Sequence, residues 1–279
     1  MDARQKRARL RDILADTAGA IAPGVTDAFT ARLARDCGYG VAHLSGNAIH
    51  KSFCLPDRNL LDAARIAARV AEISTAADIP LIVDAGPVCI EPAALARAVD
   101  VYESAGAAAL RFEDSLSNEY GADASELAIA PAALVAERIA QAAGARCDAS
   151  MVLIARCDSR PQESLAQVRA RLAAYVKAGA DAVGVQLDDA GEFREIAAHS
   201  PAPVVTLWPR NKMTASEFLR IGIRVALMPS SLPLAAAAAM RELLLELRET
   251  GTERGYFARQ KEFAAAERWY KRLGSDKPH

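Results

Sequence analysis

Eight short apolar runs, separated by longer segments of helical periodicity, constrain the fold of this chain more than any other feature. The runs lie at residues 19–23, 41–45, 81–85, 108–113, 151–156, 182–187, 204–208 and 224–229. Runs without a polar face are typical of parallel strands, because helices cover both sides of such a sheet. Eight strand and helix units therefore predict an α/β fold, the (β/α)8 TIM-type barrel.

An open doubly wound sheet is the alternative fold for this alternation. It usually has fewer strands, and no G-x-G-x-x-G motif follows the first run. A weak internal repeat favours the barrel, since three segments end a helix, turn on glycine and enter a strand. These segments are DCGYGVAHLSG, SAGAAALRFED and KAGADAVGVQL.

The chain is predicted to be a single domain over residues 1–279, because no Gly/Ser-rich or Pro-rich linker divides it. The barrel is predicted over residues 20–245, and a helical tail over residues 246–279. The tail carries aromatic residues at Tyr256, Phe257, Phe263, Trp269 and Tyr270. Such a tail is typical of a helix that packs on a neighbouring subunit.

Charge and composition argue against several classes of protein. The 34 Lys and Arg residues nearly balance the 35 Asp and Glu residues, which disfavours a nucleic-acid partner. The longest apolar run, residues 232–240, is far shorter than the roughly 20 residues of a membrane span, and the N-terminal residues do not resemble a signal peptide. The five cysteines form no C-x-x-C pair, so we expect reduced thiols and a cytoplasmic protein.

Polar residues follow several of the predicted strands, at the end of the barrel where enzymes of this fold carry their active sites. They are Ser45, Gly46, Asn47, Asp57, Asp84, Glu113, Arg156 and Gln186. Converging carboxylates repel one another unless a cation or proton intervenes, and hard oxygen ligands indicate Mg²⁺. Asp84, Glu113 and Asp57 are the candidate ligands.

The same end of the barrel offers groups that suit an anionic substrate. The planar guanidinium of Arg156 matches a carboxylate, and the Ser45-Gly46-Asn47 turn carries backbone N–H donors. Structural roles remain open beside these. An isolated Asp at the end of a strand often caps the following helix or loop, so Asp84 would also suit that role. Glu113 and Arg156 would also form a salt bridge inside the barrel.

Six segments spread over residues 20–245 together resemble the isocitrate lyase and phosphoenolpyruvate mutase superfamily. They are PGVTDAFTARLARDCGYGVAHLSG, CLPD, IPLIVDAG, AGAAALRFED, LIARCDSR and AGADAVGVQ. The resemblance implies an α/β barrel that assembles as a homo-oligomer, a dimer or tetramer, with its last helices exchanged between subunits. It implies a lyase that uses Mg²⁺, or alternatively Mn²⁺, to cleave a small 2-oxo or 2-hydroxy carboxylate through a pyruvate-like enolate.

The resemblance also assigns roles to individual residues. It places Asp84 as the direct metal ligand, with Asp57 and Glu113 holding metal-bound waters. It implies that Arg156 binds the substrate and that Ser45 and Gly46 support the substrate carboxylate. These roles agree with the need for a fixed positive charge beside a developing enolate.

The sequence departs from the superfamily pattern at several places. The D-x-D motif reads Asp84-Ala85-Gly86, so its second carboxylate is missing. The segment EDSLSNEYGADASEL lacks the Cys, His and Lys of the mobile loop of isocitrate and methylisocitrate lyases, and Tyr120 in this segment is the candidate replacement acid or else a surface residue. Gln186 stands where the lyases have Glu.

These departures favour members with a short loop, such as the oxaloacetate decarboxylases, over the two lyases. Two other functions remain open. One is a P–C bond enzyme, either a phosphonomutase or a phosphonopyruvate hydrolase. The other is a barrel that binds carboxylates but has lost catalysis.

Overall fold

The computed structural model describes residues 1–55, 62–87, 90–116 and 127–273, in which short strands alternate with helices. The strands are β1 Ala20–Pro23, β2 Ala42–Leu44, β3 Leu81–Pro87, β4 Ala109–Glu113, β5 Val152–Cys157, β6 Ala182–Val185, β7 Val205–Leu207 and β8 Val225–Met228. Each strand lies within or beside one of the eight predicted runs. All strand pairs are parallel, which confirms the predicted α/β class.

Two sets of strands, β1-β8-β7 and β2-β3-β4-β5-β6, are joined at both edges. Parallel bridges connect Gly24 with His43 and Val183 with Val204. The N–H of Val25 donates to the His43 carbonyl over 2.9 Å. The eight strands therefore form the ring of a TIM-type barrel. A Cβ on Gly24 would lie 2.1 Å from the Pro229 carbonyl oxygen, so the close approach of β1 and β8 requires glycine there.

A helix precedes the first strand, and at least one helix follows each strand along the chain. The helices are α1 Ala3–Ala15, α2 Ala28–Asp36, α3 Gly46–Ser52, α4 Ala63–Ala76, α5 Pro92–Ser104, α6 Ala132–Ala145, α7 Leu165–Lys177, α8 Ala190–His199, α9 Ala215–Arg220, α10 Ser231–Thr250, α11 Arg254–Arg259 and α12 Phe263–Arg272. Capping boxes begin four of them, with Asp2, Asp27, Ser164 and Thr214 as the N-caps. Each cap satisfies backbone donors that the first turn leaves unpaired.

Apolar side chains fill the barrel at the N-terminal ends of the strands. Ile82, Ala109 and Ile154 belong to a core cluster that also contains Leu10 and Leu14 of α1. Both leucines are buried, so α1 contributes an apolar face to this end of the core. Burial of this kind stabilises the fold by about 25 cal/mol per Å² of apolar surface. The polar residues are left to the C-terminal ends of the strands.

The chain divides into two compact units, Met1–Ser230 and Ser231–His279. The first contains α1 to α9 and the eight strands. The second contains α10, α11 and α12, where Arg259 donates to Glu242 and Glu246 over 3.0 and 2.6 Å. The predicted single domain, with a barrel ending at residue 245, stays a prediction.

The sequence predicts neither a membrane span nor a disulfide bond. Within the part of the chain that the structure describes, no helix combines the length and apolarity needed to span a membrane. Cys37, Cys54 and Cys147 are exposed free thiols, and Cys157 is a buried one. The cytoplasmic location stays a prediction.

Candidate active site at the barrel mouth

Two ion pairs connect β3, β4 and β5 at their C-terminal ends. The register places Asp84 of β3 opposite Arg111 of β4, and Glu113 of β4 opposite Arg156 of β5. Arg111 and Glu113 are two residues apart, so both point to the same face of β4. The side chains of these four residues are between 3% and 13% exposed. The sequence thus builds a buried layer of alternating charge.

Asp84 accepts hydrogen bonds from three donors. Its Oδ1 lies 2.8 Å from Arg111 Nη1 and 3.0 Å from His43 Nε2, and its Oδ2 accepts from the Gly46 N–H over 3.2 Å. Burial opposes ionisation, but the attraction of His43 and Arg111 and the hydrogen bond from His43 outweigh it and hold the pKa of Asp84 well below its ordinary value. Asp84 is therefore a carboxylate, and His43 donates from Nε2.

Glu113 is paired with Arg156, which also contacts two other polar side chains. Arg156 donates from Nη1 to Glu113 over 3.1 Å, from Nε to Asp158 over 2.5 Å, and from Nη2 to the amide oxygen of Gln186. Burial raises the pKa of Glu113 above its ordinary value, although Arg156 opposes this shift. Glu113 is thus suited to carry a proton, with Arg156 fixing its position.

A cavity of about 240 Å³ lies beside this charged layer. Its polar wall includes Asp84, Arg111 and Glu113. The rest of its lining is mostly apolar and consists of Gly46, Ala63, Ile66, Ala85, Gly86, Pro87, Ile90, Ala94, Ala98 and Tyr102. A small pocket with a few convergent charges is the usual form of a binding site for a small polar molecule.

The other predicted site residues divide into those near this layer and those outside the described residues. Ser45 is buried and precedes α3, but its hydroxyl makes no capping hydrogen bond. The N–H of Gly46, predicted to support a ligand anion, donates to Asp84 instead, and Asn47 is half-buried. Asp57 and Tyr120 lie outside the described residues.

The predicted Mg²⁺ or Mn²⁺ would need oxygen ligands with free lone pairs. Asp84 Oδ1 already accepts from Arg111 and His43, which uses both of its lone pairs. Gly86 has φ +80°, a conformation that L side chains rarely adopt, and it supplies no second carboxylate. Among the described residues, no group of three or more His, Cys, Asp and Glu side chains is arranged to hold a metal ion. These residues do not fit a divalent cation bound at Asp84 Oδ1.

Two residues that contact Asp84 were not predicted as site residues. These residues are His43 of β2 and Arg111 of β4. The available signal for Arg111 is a charged residue inside an apolar strand, two positions before Glu113 and so on the same face. Strand pairing was needed to place Arg111 beside Asp84, because register does not follow from one strand alone.

A second buried polar cluster lies next to the layer. Asp114 Oδ2 accepts from the Tyr175 hydroxyl over 2.9 Å, and Asp114 Oδ1 accepts from the Asp158 N–H over 2.8 Å. Burial raises the pKa of Asp114, and the hydrogen bond from the Asp158 N–H opposes this shift. Asp158 also binds Arg156, so this cluster fixes the loop that follows β5.

Comparison with known proteins identifies the family of this barrel. The sequence model of the phosphoenolpyruvate phosphomutase family matches residues 10–248. The chain belongs to this family. The match confirms the superfamily inferred from the sequence motifs, to which the isocitrate lyases also belong.

Relatives of this phosphoenolpyruvate phosphomutase family member include lyases and a phosphonate enzyme. A 2-methylisocitrate lyase of Aeropyrum pernix is 32% identical over 88% of this chain and 80% of its own length. An oxaloacetate decarboxylase of Bradyrhizobium diazoefficiens is 29% identical over 88% of this chain and 86% of its own length. The crystal structure of a phosphonopyruvate hydrolase complex with oxalate and Mg²⁺ is 25% identical, with a TM-score of 0.80 over 98% of this chain and 99% of that chain.

Proposed function

We propose that this chain is a carbon–carbon lyase for a small 2-oxo or 2-hydroxy carboxylate, of the decarboxylase or retro-aldol type. The observation that carries the proposal is the buried layer of Asp84, Arg111, Glu113 and Arg156 beside a small cavity. Its position at the C-terminal ends of barrel strands is where enzymes of this fold act. The activities named for the relatives give the reaction class.

The two substrate types differ in where the electron pair goes. In a 2-oxo acid such as oxaloacetate, the C3–C4 bond breaks, carbon dioxide leaves, and the electron pair forms the enolate of pyruvate. That enolate then takes a proton on C3. In a 2-hydroxy acid, the hydroxyl loses its proton and becomes the ketone of pyruvate, and the other fragment leaves as an enolate that is protonated. Both routes need a proton carrier and positive charge beside an enolate oxygen.

Glu113 is the proton carrier that we assign among the described residues. It lines the cavity, and its raised pKa favours the protonated form that an enolate carbon requires. Arg156 holds Glu113 from one side, so it acts as a positioning residue. The predicted roles of Arg156 in substrate binding and of Tyr120 as the acid stay predictions.

A metal ion is given no step in this proposal. In the related enzymes that use one, a divalent cation neutralises the oxygens of the enolate. The described residues leave no lone pair for such an ion at Asp84 Oδ1, because Arg111 and His43 already donate to this oxygen. The predicted use of Mg²⁺ or Mn²⁺ is therefore left to a titration of the purified protein.

The test is pyruvate release from four substrates, measured with and without Mg²⁺. The substrates are oxaloacetate, 2-methylisocitrate, 2,3-dimethylmalate and phosphonopyruvate, each of which gives pyruvate by cleavage of a different bond. We expect release above the spontaneous rate from one of the three carbon substrates. Phosphate release from phosphonopyruvate alone would instead identify a P–C bond enzyme. Silence on all four, together with binding of oxalate, would identify a barrel that binds without catalysis.

We also propose that the chain assembles as a homo-oligomer, a dimer or tetramer, through its C-terminal helices. Helix α10 has no buried residue, and it exposes Leu234, Met240 and Leu244. Exposed apolar side chains in such number on one helix are typical of an interface. Light scattering after size exclusion should give a molar mass that is a multiple of 29.6 kDa. Leu244→Glu should lower this mass. A wild-type mass of 29.6 kDa would contradict the assembly.

A further inference from the structure

We propose that the guanidinium of Arg111 takes the place of a divalent cation, so that this site binds the carboxylate of its ligand without a metal ion. The inference rests on the proposed function, because it names the group that holds the substrate. Arg111 is 3% exposed and lines the same cavity as Asp84 and Glu113. Its positive charge is permanent, so it neutralises Asp84 at every pH at which the protein folds.

Within the part of the chain that the structure describes, the hydrogen bonds of Arg111 leave one edge of its guanidinium without a partner. Nη1 donates to Asp84 Oδ1 over 2.8 Å. Nε and Nη2 are buried and have no hydrogen-bond partner among the described residues. These two nitrogens form the side of the planar fork that pairs with both oxygens of a carboxylate. An unpaired charged donor is costly in a protein interior, and a ligand carboxylate in the cavity would remove that cost.

The surroundings of Asp84 favour Arg111 over a metal ion as the bound cation. Oδ1 of Asp84 has no lone pair left once Arg111 and His43 have donated to it. A divalent cation at that oxygen would also lie close to the guanidinium and be repelled by it. Position 86, where a second carboxylate would balance such a cation, is a glycine with a positive φ.

Oxalate is the probe for this inference, because it is a small dicarboxylate that resembles the enolate of pyruvate. Calorimetry on the full-length protein in EDTA should show oxalate binding, with the same Kd when Mg²⁺ replaces EDTA. Arg111→Gln should weaken oxalate binding in EDTA by about tenfold to a hundredfold, the usual value of a hydrogen bond to a charged group. Arg169→Gln, which removes an exposed arginine paired with Glu195, should leave the Kd unchanged.

Three outcomes would overturn the inference. They are oxalate binding that requires Mg²⁺, an Arg111→Gln protein that binds oxalate with the wild-type Kd, and no binding in either condition. Circular dichroism establishes whether Arg111→Gln folds. Arg111→Lys keeps the charge but loses the planar fork, so it should bind oxalate with a Kd between those of wild type and Arg111→Gln. If neither variant folds, the wild-type comparison with and without Mg²⁺ decides.

Oxalate binding and pyruvate release, measured together, separate this inference from the proposed function. Oxalate binding in EDTA without pyruvate release from any substrate would leave the role of Arg111 standing and contradict the lyase. Pyruvate release that stops in EDTA, together with loss of oxalate binding, would leave the lyase standing and contradict the role of Arg111.

Discussion

Arg111 Nη1 lies 2.8 Å from Asp84 Oδ1, and the two residues stand opposite each other in the parallel register of β3 and β4. A buried ion pair of this kind gives little net stability when intact, because both charges lose their water. Its loss on one side is costly, since the remaining charge is then buried alone. The stability of the pairing between β3 and β4 therefore depends on the presence of both charges.

Replacement of Asp84 tests this dependence through stability. Asp84→Ala leaves the Arg111 guanidinium without its carboxylate, and we expect the free energy of unfolding in urea to fall by about 3 kcal/mol. Asp84→Asn keeps an oxygen acceptor and should lose less. Asp16→Ala, at an exposed position that follows α1, should change it by no more than about 0.5 kcal/mol. Equal losses in Asp84→Ala and Asp16→Ala would contradict the buried pair.

The pH dependence of stability tests the burial of Glu113. The pKa of Glu113 is raised in the folded protein, so its stabilising contribution is complete below the unfolded pKa near 4.5 and is lost as pH rises through the folded pKa. Glu113→Gln removes this titration and keeps an acceptor for Arg156. The Tm of the variant relative to wild type should therefore increase as pH is raised from about 4 to 8. A Tm difference that does not vary with pH would show that the pKa of Glu113 is not raised.

Gly86 is predicted to tolerate no side chain without strain. Its φ of +80° is left-handed, so Gly86→Ala should lower the free energy of unfolding by about 1 kcal/mol, and Gly86→Asp by less, because Asp adopts this conformation more readily than Ala. Gly144→Ala is the matched control, because Gly144 lies in α6 and a Cβ added there would meet open space. That change should be neutral or stabilising by about 0.5–1 kcal/mol. A Gly86→Ala protein as stable as Gly144→Ala would refute the strain.

The Tyr175 hydroxyl is expected to stabilise the buried Asp114 carboxyl. Tyr175→Phe removes the 2.9 Å hydrogen bond to Asp114 Oδ2, and we expect a loss of about 1–2 kcal/mol in the free energy of unfolding. Tyr39→Phe, at a position that is 36% exposed, removes the same hydroxyl from the surface and should have little effect. If both variants unfold at the same urea concentration as wild type, the hydrogen bond contributes nothing.

The fold was largely predictable because it follows from local patterns. Eight apolar runs located all eight strands, and the absence of an alternating polar face in most of them indicated helices on one side and a packed core on the other. Glycines such as Gly38 and Gly106, which have positive φ, marked the turns that lead from helices into strands. The strand ends differ from the predicted ends by at most two residues, because the length of a strand depends on its neighbours.

The site was less predictable because it depends on pairing between strands. Asp84, Glu113 and Arg156 were found from their positions at strand ends, and the structure brings all three into one layer. Nothing in the sequence near Arg111 identifies Asp84 as its partner, since 27 residues separate the two. The hydrogen bond between His43 and Asp84 was missed for the same reason.

The most direct test of the lyase proposal is kcat/KM for pyruvate release by Asp84→Asn, measured on the substrate that wild type cleaves fastest. Asp84→Asn keeps the shape of the side chain but removes the charge that holds Arg111 and His43. We predict a fall of about a hundredfold or more, the usual cost of disturbing a preorganised charge in an active site, with Asp16→Asn unchanged. Wild-type kcat/KM in a folded Asp84→Asn protein would contradict the assignment of this layer as the active site.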